Sequence, residues 1–290
     1  HTAIGVNFID IYHRSGLYPN DLPLGLGMEA AGIVQEVGPE VSNIGPGDRV
    51  CYCSGPIGAY AESNIISADN AVKTPDGISD EVAAASLLKG LTAQYLIRQI
   101  HHTQPGDTIL LHAAAGGVGL IATQWLKRLG ATVIGTVGSN AKAKIAKDAG
   151  CDHIILYNQE DIAKRVSEIT DGAKVPVVID GVGATTWEAS LNSLSPRGLL
   201  ISFGNASGPV ENVNLGILAA KGSLFVTRPT LFHYIDTPQA LAAAAAEFFA
   251  EVKSGAISID ISAEYPLAEA AQAHIDLAAR NTTGSLILRP

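Results

Sequence analysis

The pattern of apolar and polar positions changes near residue 90. Before that point, short apolar runs such as AAGIVQEV (30–37) and RVCYC (49–53) are separated by stretches rich in Pro, Gly, Asn and Asp. Such punctuation is typical of strands joined by turns, so this part predicts a compact β-rich domain. The segment 79–100, SDEVAAASLLKGLTAQYLIRQI, then has a helical period, with Ser79 as its N-cap and acids in its first turn.

From Asp107 onward, apolar strands and helical stretches alternate. The predicted strands are TILLH (108–112), TVIGT (132–136), HIILY (153–157), VPVVID (175–180), LLISFG (199–204) and SLFVT (223–227). The predicted helices are VGLIATQWLKRLG (118–130), AKAKIAKDAG (141–150), EDIAKRVSEIT (160–170) and TTWEASLNSL (185–194). This alternation predicts an α/β fold, a doubly wound parallel sheet with helices on both faces.

Two further segments complete the pattern. A long Ala-rich helix, TPQALAAAAAEFFAEVKSG (237–255), precedes a last strand, GSLILRP (284–290). The uncharged run Thr108–Leu126 has the length of a membrane helix. Because it contains His112, several glycines and Gln124, a strand, a turn and a helix fit it better, and no membrane span is expected.

Composition narrows the class of protein. The 290 residues are 47% hydrophobic and 16% charged, which suits about two domains with a sizeable core. A net charge of -9 argues against a nucleic-acid or anionic-membrane partner, which needs a basic surface. Three cysteines, two of them spaced C-x-C, predict structural thiols in a reducing, cytoplasmic compartment, and HTAIGVNFID lacks the features of a signal peptide.

The segment ILLHAAAGGVGLIATQW (109–125) carries the clearest chemistry. A predicted strand runs into a glycine turn that opens a helix, which is the arrangement of a dinucleotide-binding site. Gly116 allows the backbone to approach a pyrophosphate, and Gly119 allows the helix to pack on the strand. The first glycine of the usual G-x-G-x-x-G pattern is replaced by Ala114. The helix N-terminus would offer free N–H groups to the phosphates.

The next strand end, VIGTVGSNAK (133–142), lacks the acid that takes the ribose 2′-hydroxyl in NAD-binding units. Gly138 leaves room there, Ser139 offers a hydroxyl, and Lys142 offers a cation. Tyr157, at the end of the third strand of the unit, adds a hydroxyl or a ring face. These groups favour NADPH over NADH, the alternative being that Lys142 is an ordinary solvated helix lysine.

Several segments together resemble a known family. GVNFIDIYHRSGLYP, GMEAAGIVQEVG, LLKGLTAQYL, HAAAGGVGLIATQW and SFGNASG are similar to the zeta-crystallin-type quinone oxidoreductases, zinc-free members of the medium-chain dehydrogenase/reductase superfamily, and above all to bacterial NADPH:quinone reductases. The similarity covers nearly the whole chain. It implies a GroES-like catalytic domain (1–92 and 232–290), a Rossmann NADPH-binding domain (93–231), an active cleft between them, and a homodimer joined through the Rossmann sheets. Family members have further residues before AIGVNFID, so the resemblance also implies that the N-terminal strands of the GroES-like domain are missing here.

The same resemblance predicts that no metal is bound. Zinc-dependent relatives carry a G-H-E motif whose His binds the catalytic zinc, and here the motif reads Gly27-Met28-Glu29. Methionine is a poor ligand for such a site. The other zinc-binding Cys residues of those relatives are also absent.

The resemblance also implies roles for particular residues. Asn7 and Tyr12 would donate hydrogen bonds to the nicotinamide or the quinone oxygen, Thr92 would sit near the carboxamide, and Tyr95 would lie one turn further on. Asp10 is as well explained by an internal cap or salt bridge as by a role in the site.

Further cofactor contacts follow from the same resemblance. The pyrophosphate would meet Gly117 and Val118, and the 2′-phosphate would meet the groups at 138–142. Arg280 would supply a second phosphate cation, unless it is a plain surface arginine. The loop beneath the nicotinamide ribose comprises Phe203, Gly204, Asn205 and Ser207.

The predicted function is therefore NADPH-dependent reduction of a quinone by hydride transfer from nicotinamide C4. Two alternatives remain open: NADPH-dependent reduction of enones or alkenals, and a non-catalytic, crystallin-like protein that only binds NADPH. A hydrolase is disfavoured because Ser207 lies in no G-x-S-x-G elbow and has no triad partner in the sequence.

Overall fold

The computed structural model describes all 290 residues, which form two compact units. The first unit combines His1–Thr92 with Tyr234–Pro290, and the second unit is the intervening segment Ala93–His233. No helix of the protein is both long enough and apolar enough to cross a membrane.

Twelve strands and nine α-helices build the two units. The strands are β1 Ala3–Val6, β2 Glu29–Ile33, β3 Arg49–Tyr52, β4 Val72–Lys73, β5 Thr108–Leu111, β6 Thr132–Val137, β7 His153–Leu156, β8 Val175–Asp180, β9 Leu194–Ser202, β10 Phe225–Thr227, β11 Ile261–Pro266 and β12 Ser285–Arg289. The helices are α1 Phe8–Ser15, α2 Asp80–Gln94, α3 Gly117–Arg128, α4 Asn140–Asp148, α5 Ile162–Ile169, α6 Trp187–Ser193, α7 Gly216–Ala220, α8 Pro238–Lys253 and α9 Ala270–Ala278.

The first unit is built on a six-stranded mixed sheet in the order β11-β12-β1-β2-β3-β4. Its neighbours are antiparallel except for the pair β11 and β12. The buried core contains Ile4 and Val6 of β1 and Leu286 and Leu288 of β12, whose side chains alternate toward one face. This sheet positions the residues at the start of α1.

The helices of the first unit begin at clear capping residues. Ser79 accepts a hydrogen bond from the backbone N–H of Val82 (3.2 Å), so the predicted cap of α2 is present. Thr237 caps α8 by accepting from Ala240, and Pro238 occupies the first helical position. Gly90 of α2 leaves the space that the ring of Phe248 of α8 fills.

The second unit contains a six-stranded, entirely parallel sheet in the order β10-β9-β8-β5-β6-β7. The chain starts in the middle with β5, winds outward to β7, and returns to β8 on the other side, as in a doubly wound dinucleotide-binding fold. The strands are apolar throughout because helices cover the sheet: Leu110, Ile134, Val178 and Leu200 all belong to one buried core.

The alternating strands and helices predicted from residue 107 are therefore confirmed, although several bounds differ. The run Thr108–Leu126 is β5, a turn and the start of α3. Strand β9 begins at Leu194 rather than at residue 199, because β8 pairs with it from Val175 across an irregularity in register. The helix predicted over 79–100 ends its regular part at Gln94 and continues as a wider π-helical turn, Tyr95–Ile100.

Candidate functional site

The predicted cofactor residues of the second unit lie along one edge of its sheet. Since all six strands run parallel, the segments that follow β5, β6, β8 and β9 leave the sheet at their shared carboxyl edge. The strand order reverses between β5 and β8, and crevices at such a reversal are where doubly wound sheets bind ligands. Gly116 to Gly119, the segment 138–142, Tyr157 and the loop 203–207 all belong to this edge.

The turn between β5 and α3 is tightly folded. Ala113, its second residue, has a left-handed backbone (φ 53°), and the Ala113 carbonyl accepts from the N–H of Gly116 at 2.9 Å. A Cβ on Gly119 would collide with that same carbonyl and lie 2.8 Å from the Cα of Ala114. Gly119 thus allows the first turn of α3 to pack on the chain that precedes it.

The N-terminus of α3 is left open. Gly116 is its N-cap and provides no side chain to bond the first N–H groups. The first amides of the helix, those of Gly117, Val118 and Gly119, have no carbonyl one turn earlier within the helix. These three N–H groups, together with the positive end of the helix dipole, form a cradle for an anion.

A buried hydrogen-bond network holds the strand ends around this turn. Ser190 of α6 donates its hydroxyl hydrogen to Asp180 at the end of β8 (2.9 Å), so its oxygen accepts from Nε2 of His112 (3.0 Å). Nδ1 of His112 is therefore the unprotonated nitrogen and accepts from the hydroxyl of Thr136 in β6 (3.0 Å). Burial lowers the pKa of His112, which keeps the ring neutral.

The end of β6 carries the groups predicted to meet a 2′-phosphate. Ser139 is the N-cap of α4, and its hydroxyl oxygen accepts from the backbone N–H of Lys142 at 3.3 Å. The hydroxyl hydrogen of Ser139 is still available to donate. Lys142 is half-buried in the first turn of α4. Ser139, Lys142 and the N-terminus of α4 thus all follow directly on the end of β6.

Tyr157 packs directly against Gly138. A Cβ on Gly138 would lie 2.5 Å from the hydroxyl oxygen of Tyr157 and 2.9 Å from its Cζ. Asn158 closes the same corner by donating from its side chain to the carbonyl of Gly138 (2.9 Å). The free space expected beside Gly138 from the sequence is therefore filled by the tyrosine, which is itself 41% exposed.

The segments after β8 and β9 pack backbone to backbone. A Cβ on Gly204 would collide with the carbonyl of Gly181, and a Cβ on Gly181 would lie 2.7 Å from the ring of Phe203. Ser207 donates its hydroxyl to the carbonyl of Val182 (2.8 Å) and accepts from the N–H of Thr185 (3.0 Å). The two segments therefore form one paired layer at the carboxyl edge.

Asn205 belongs to the same layer. Hydrogen bonding orients its amide oxygen toward the guanidinium of Arg228 (3.1 Å) and its nitrogen toward the carbonyl of Gly204 (3.0 Å). Arg228 also donates to the carbonyl of Ser202 (2.9 Å), the last residue of β9. The side chain of Asn205 is thus fixed to the end of that strand.

In the first unit, Asn7 and Tyr12 both belong to α1, Asn7 as its N-cap and Tyr12 as its fifth residue. Asn7 is the N-cap of the helix, is 6% exposed, and donates from Nδ2 to Oε2 of Glu29 (2.8 Å). Tyr12 lies one turn later and is 8% exposed. Its ring packs between Phe8, with centroids 6.2 Å apart, and Tyr18, at 5.1 Å.

Asp10 is an internal capping residue, one of the two roles left open by the sequence. Its Oδ2 accepts from the backbone N–H of Asn7 (2.8 Å) and from the hydroxyl of Tyr60 (3.0 Å), and Tyr60 also contacts Nε2 of His274 (2.9 Å). Its Oδ1 is buried without a partner. Burial raises the pKa of Asp10 from 3.8 to about 7.

The remaining predicted residues lie on three different elements. Thr92, near the end of α2, donates its hydroxyl hydrogen to the carbonyl of Leu88 (2.7 Å), which leaves only its oxygen lone pairs for another group. Tyr95 is 2% exposed in the π-helical turn of the second unit. Arg280 follows α9 in the first unit and has a left-handed backbone (φ 57°) on the surface.

Two buried charges were not predicted from the sequence. Glu29 of β2 is completely buried, and Lys89 of α2 lies 3.6 Å from its Oε2. Both stand within apolar runs, EAAGI and LLKGL. Charged residues in such runs are rarely buried unless they are paired, and that was the available signal.

No group of three or more His, Cys, Asp or Glu side chains in the structure could hold a metal ion. Met28 precedes β2 and is 6% exposed. Cys51 and Cys53 are buried free thiols, and the Sγ of Cys51 donates to the carbonyl of Val72 at 3.7 Å. Burial raises the pKa of Cys51 to about 12, so this thiol stays protonated.

Comparisons with known proteins identify the class of each part. Residues 1–76 match the family described as the alcohol dehydrogenase GroES-like domain, and residues 117–246 match the family described as zinc-binding dehydrogenase. A quinone oxidoreductase from Pseudomonas aeruginosa is 58% identical over 99% of this chain and 89% of its own length. A 2-haloacrylate reductase from Burkholderia is 44% identical over 100% of this chain and 89% of its own.

A solved structure agrees in fold over the whole chain. The quinone oxidoreductase from Escherichia coli, crystallised in complex with NADPH, superposes with a TM-score of 0.98 at 54% identity, covering 100% of this chain and 90% of that one. The chain belongs to the quinone oxidoreductase family of the medium-chain dehydrogenase/reductase superfamily. It is an oxidoreductase.

Proposed function

We propose that this protein reduces quinones with NADPH as the hydride donor. The observation that carries the cofactor assignment is the end of β6, where Ser139 and Lys142 stand in place of an acidic residue. The quinone assignment is supported by relatives that are named quinone oxidoreductases and share more than half of this sequence.

The second unit fits a dinucleotide at its phosphate end. The open N–H groups of Gly117, Val118 and Gly119 suit pyrophosphate oxygens, since nothing in the chain caps them from a side chain. Gly116 carries no side chain over this cradle, and Gly119 packs the helix close to the strand. We assign these four residues to the pyrophosphate.

The adenosine end fits a 2′-phosphate better than a free 2′-hydroxyl. Ser139 has a hydroxyl hydrogen to donate, Lys142 has a cation, and Tyr157 presents its hydroxyl beside Gly138. A carboxylate at this strand end would repel the phosphate, and none is present in 138–142. We assign Arg280 as a second cation for this phosphate because a guanidinium matches phosphate oxygens.

The nicotinamide end is assigned to residues of several loops and helices. When bound, NADPH supplies a hydride from C4 of the nicotinamide to the quinone. The loop Phe203 to Ser207 holds the ribose, and Thr92 accepts from the carboxamide through the lone pairs that its bond to Leu88 leaves free. Asn7 and Tyr12 bind the quinone oxygen on which negative charge develops. Tyr95, which is almost fully buried, is also assigned to the cofactor.

The proposed reaction needs no metal. At the position that resembles the zinc-binding His of related dehydrogenases, the side chain is the thioether of Met28, which does not suit zinc. The oxygen on which charge develops in a reduced quinone is a phenolate, a far weaker base than the alkoxide formed when a ketone is reduced. Hydrogen bonds from an amide and a phenol are therefore sufficient to stabilise it.

Steady-state kinetics with 1,4-benzoquinone test the proposal. We expect rapid oxidation of NADPH and a much lower kcat/KM with NADH. Equal kcat/KM values with NADPH and NADH would contradict the cofactor assignment. NADPH oxidation by enones or alkenals without any by quinones would contradict the acceptor assignment.

A second function is favoured by the 2-haloacrylate reductase relative. In that case the hydride would go to the β-carbon of an activated alkene rather than to a quinone, and the same panel with 2-chloroacrylate distinguishes the two. NADPH binding without turnover of any acceptor would instead support a crystallin-like role.

A homodimer and a cytoplasmic location complete the proposal. Strand β10 forms one edge of the parallel sheet and exposes Phe225 (61%) and Val226 (36%), with Leu215 (73%) before it. An edge strand offers its unpaired backbone N–H and C=O groups to another copy. Light scattering should therefore give a dimer, and Phe225→Asp should give a monomer. The three free cysteines suit a reducing compartment such as the cytoplasm.

A further inference from the structure

The first unit contains a carboxylate whose position is built into the sheet. Glu29 of β2 pairs in register with Gly5 of β1 and is fully buried. A Cβ on Gly5 would collide with Oε2 of Glu29 and with the carbonyl of Ala84. The glycine therefore makes the space in which the carboxylate lies, between the sheet and α2.

Three groups converge on this carboxylate from two helices. The backbone N–H of Leu88 donates to Oε1 (2.6 Å), and Nδ2 of Asn7 donates to Oε2 (2.8 Å). The ammonium of Lys89 lies 3.6 Å from Oε2. This ammonium is buried and makes no hydrogen bond of its own, so Glu29 is the group that balances its charge.

The charge of Glu29 constrains how the amide of Asn7 is turned, together with the capping box of α1 in which that side chain takes part. An ionised carboxylate can only accept hydrogen bonds, so Asn7 must point Nδ2 toward it and direct Oδ1 and its second N–H elsewhere. A protonated carboxyl can donate to Oδ1, which favours the amide rotated by half a turn. Rotation swaps the positions of Oδ1 and Nδ2, so the side of the amide that faces away from Glu29 offers a different pattern of donor and acceptor.

We propose that Lys89 is a positioning residue, whose ammonium keeps Glu29 ionised and thereby fixes the orientation in which Asn7 meets the reactants. This role rests on the proposed function, because Asn7 is there taken to bind the quinone oxygen. Lys89 acts through Glu29 and does not itself touch the substrate.

The other groups that face Glu29 do not supply this charge. Burial raises the pKa of Glu29, and the Lys89 ammonium is the largest influence that opposes it, ahead of the bonds from Asn7 and Leu88. Asp10 of α1 is an acid, and its own pKa is raised to about 7. The remaining neighbours are Cys51, Cys53 and Tyr60, whose pKa values are all raised by burial and which are therefore neutral. Lys89 is the one cation in this group.

A double-mutant cycle on Lys89 and Glu29 tests the proposal. Lys89→Met should move the acidic limb of the pH profile of kcat upward by about 1 to 3 pH units, as expected for losing an opposite charge at this distance. Lys89→Arg keeps the positive charge and should leave the acidic limb at its wild-type position. Glu29→Gln places an amide nitrogen toward Asn7 and should lower kcat about tenfold. In the Glu29→Gln background, Lys89→Met should cause no further loss.

The proposal would be overturned if Lys89→Met lowered kcat equally in the wild type and in the Glu29→Gln background. That result would mean that Lys89 acts on the substrate directly or only supports the fold. The same conclusion would follow if kcat fell without any movement of the acidic limb. Lys73→Met is the matched control, since Lys73 is an exposed lysine of the same unit that pairs with Asp48, and it should change neither quantity.

A stability measurement separates this proposal from the proposed function. If Lys89 keeps Glu29 ionised, Lys89→Met should destabilise the protein by an amount that grows as pH rises and Glu29 loses its proton. This pH dependence of the destabilisation should vanish in the Glu29→Gln background. A loss of stability from Lys89→Met that does not change with pH would contradict the coupling between Lys89 and Glu29. The double variant removes both buried charges and should fold even if Lys89→Met does not. A wild-type protein that fails to reduce quinones would refute the proposed function alone.

Discussion

Replacing Asp10 by asparagine tests the electrostatics of the buried start of α1. The side chain is fully buried, accepts from Asn7 and Tyr60 through Oδ2, and leaves Oδ1 without a partner. An asparagine can accept the same two hydrogen bonds through its oxygen. The substitution therefore removes the ionisation and leaves the main contacts in place.

The expected effect follows from the pKa of Asp10, which is about 7 in the folded protein and 3.8 as an ordinary aspartate. Below pH 3.8 the carboxyl is protonated in both states and contributes nothing to pH dependence. Between 3.8 and about 7 the unfolded chain releases the proton and the folded chain retains it, so the folded protein loses stability as pH rises. The full difference is about 4 kcal/mol, at about 1.4 kcal/mol per pKa unit.

Asp10→Asn does not titrate, so its stability relative to the wild type should rise by about 4 kcal/mol across this window and then level off. Urea unfolding, followed by tryptophan fluorescence in a series of buffers, measures the difference directly. Glu29 and His274 are common to both proteins, so their own titrations largely cancel. The reasoning would be refuted if the stability difference between the two proteins changed by less than ~1 kcal/mol over the whole pH range.

Asp152→Asn is a control in which the stability difference should change with pH in the opposite direction. The Lys127 ammonium, 2.8 Å away, helps to hold the pKa of Asp152 below its ordinary value, against the effect of burial. The wild type therefore gains stability from this pair above the unfolded pKa and loses it as pH falls. Asp152→Asn should cost most at neutral pH and least in acid.

Three further predictions concern the candidate site. Lys142→Glu should weaken NADPH binding by about tenfold to a hundredfold and leave NADH nearly unchanged in a fluorescence titration, and an equal loss for both would remove the 2′-phosphate assignment. Gly119→Ala introduces a Cβ against the carbonyl of Ala113, so it should lower the free energy of unfolding by about 1 to 3 kcal/mol and weaken NADPH binding, whereas Gly38→Ala, which meets open space, should do neither. Thr92→Val should lower kcat/KM about fivefold and Thr92→Ser should not; equal rates for the two variants would speak against a carboxamide contact.

The parallel sheet was predictable because each of its parts has a local signal. Its strands are short apolar runs, its helices have apolar faces, and the turn before Gly117 combines both with glycines. Such signals depend on neighbours within a few residues. They were sufficient to predict β5 to β10 and to identify the carboxyl edge at which the candidate cofactor residues lie.

Helix α1 and the partners of the buried charges lacked such a signal. FIDIYHRS contains isoleucines at positions 9 and 11, which suit a strand, and the helix is held instead by the bond from the Asn7 N–H to Asp10. Glu29 acquires its partners from β1, α1 and α2, including an N–H that is 59 residues away in the chain. Contacts over such distances are set by the packed sheet and leave no periodic pattern in the sequence.

The packing of Tyr157 on Gly138 constrains how this protein could change its cofactor. An acidic side chain at position 138 is the simplest route to a preference for NADH, yet its first carbon would occupy the place of the tyrosine hydroxyl. The ring would have to leave before the new carboxylate could face a ribose. A lineage that introduced the acid alone would therefore pass through a form in which the new side chain and the tyrosine ring compete for one space, and a change at Tyr157 has to come first or at the same time.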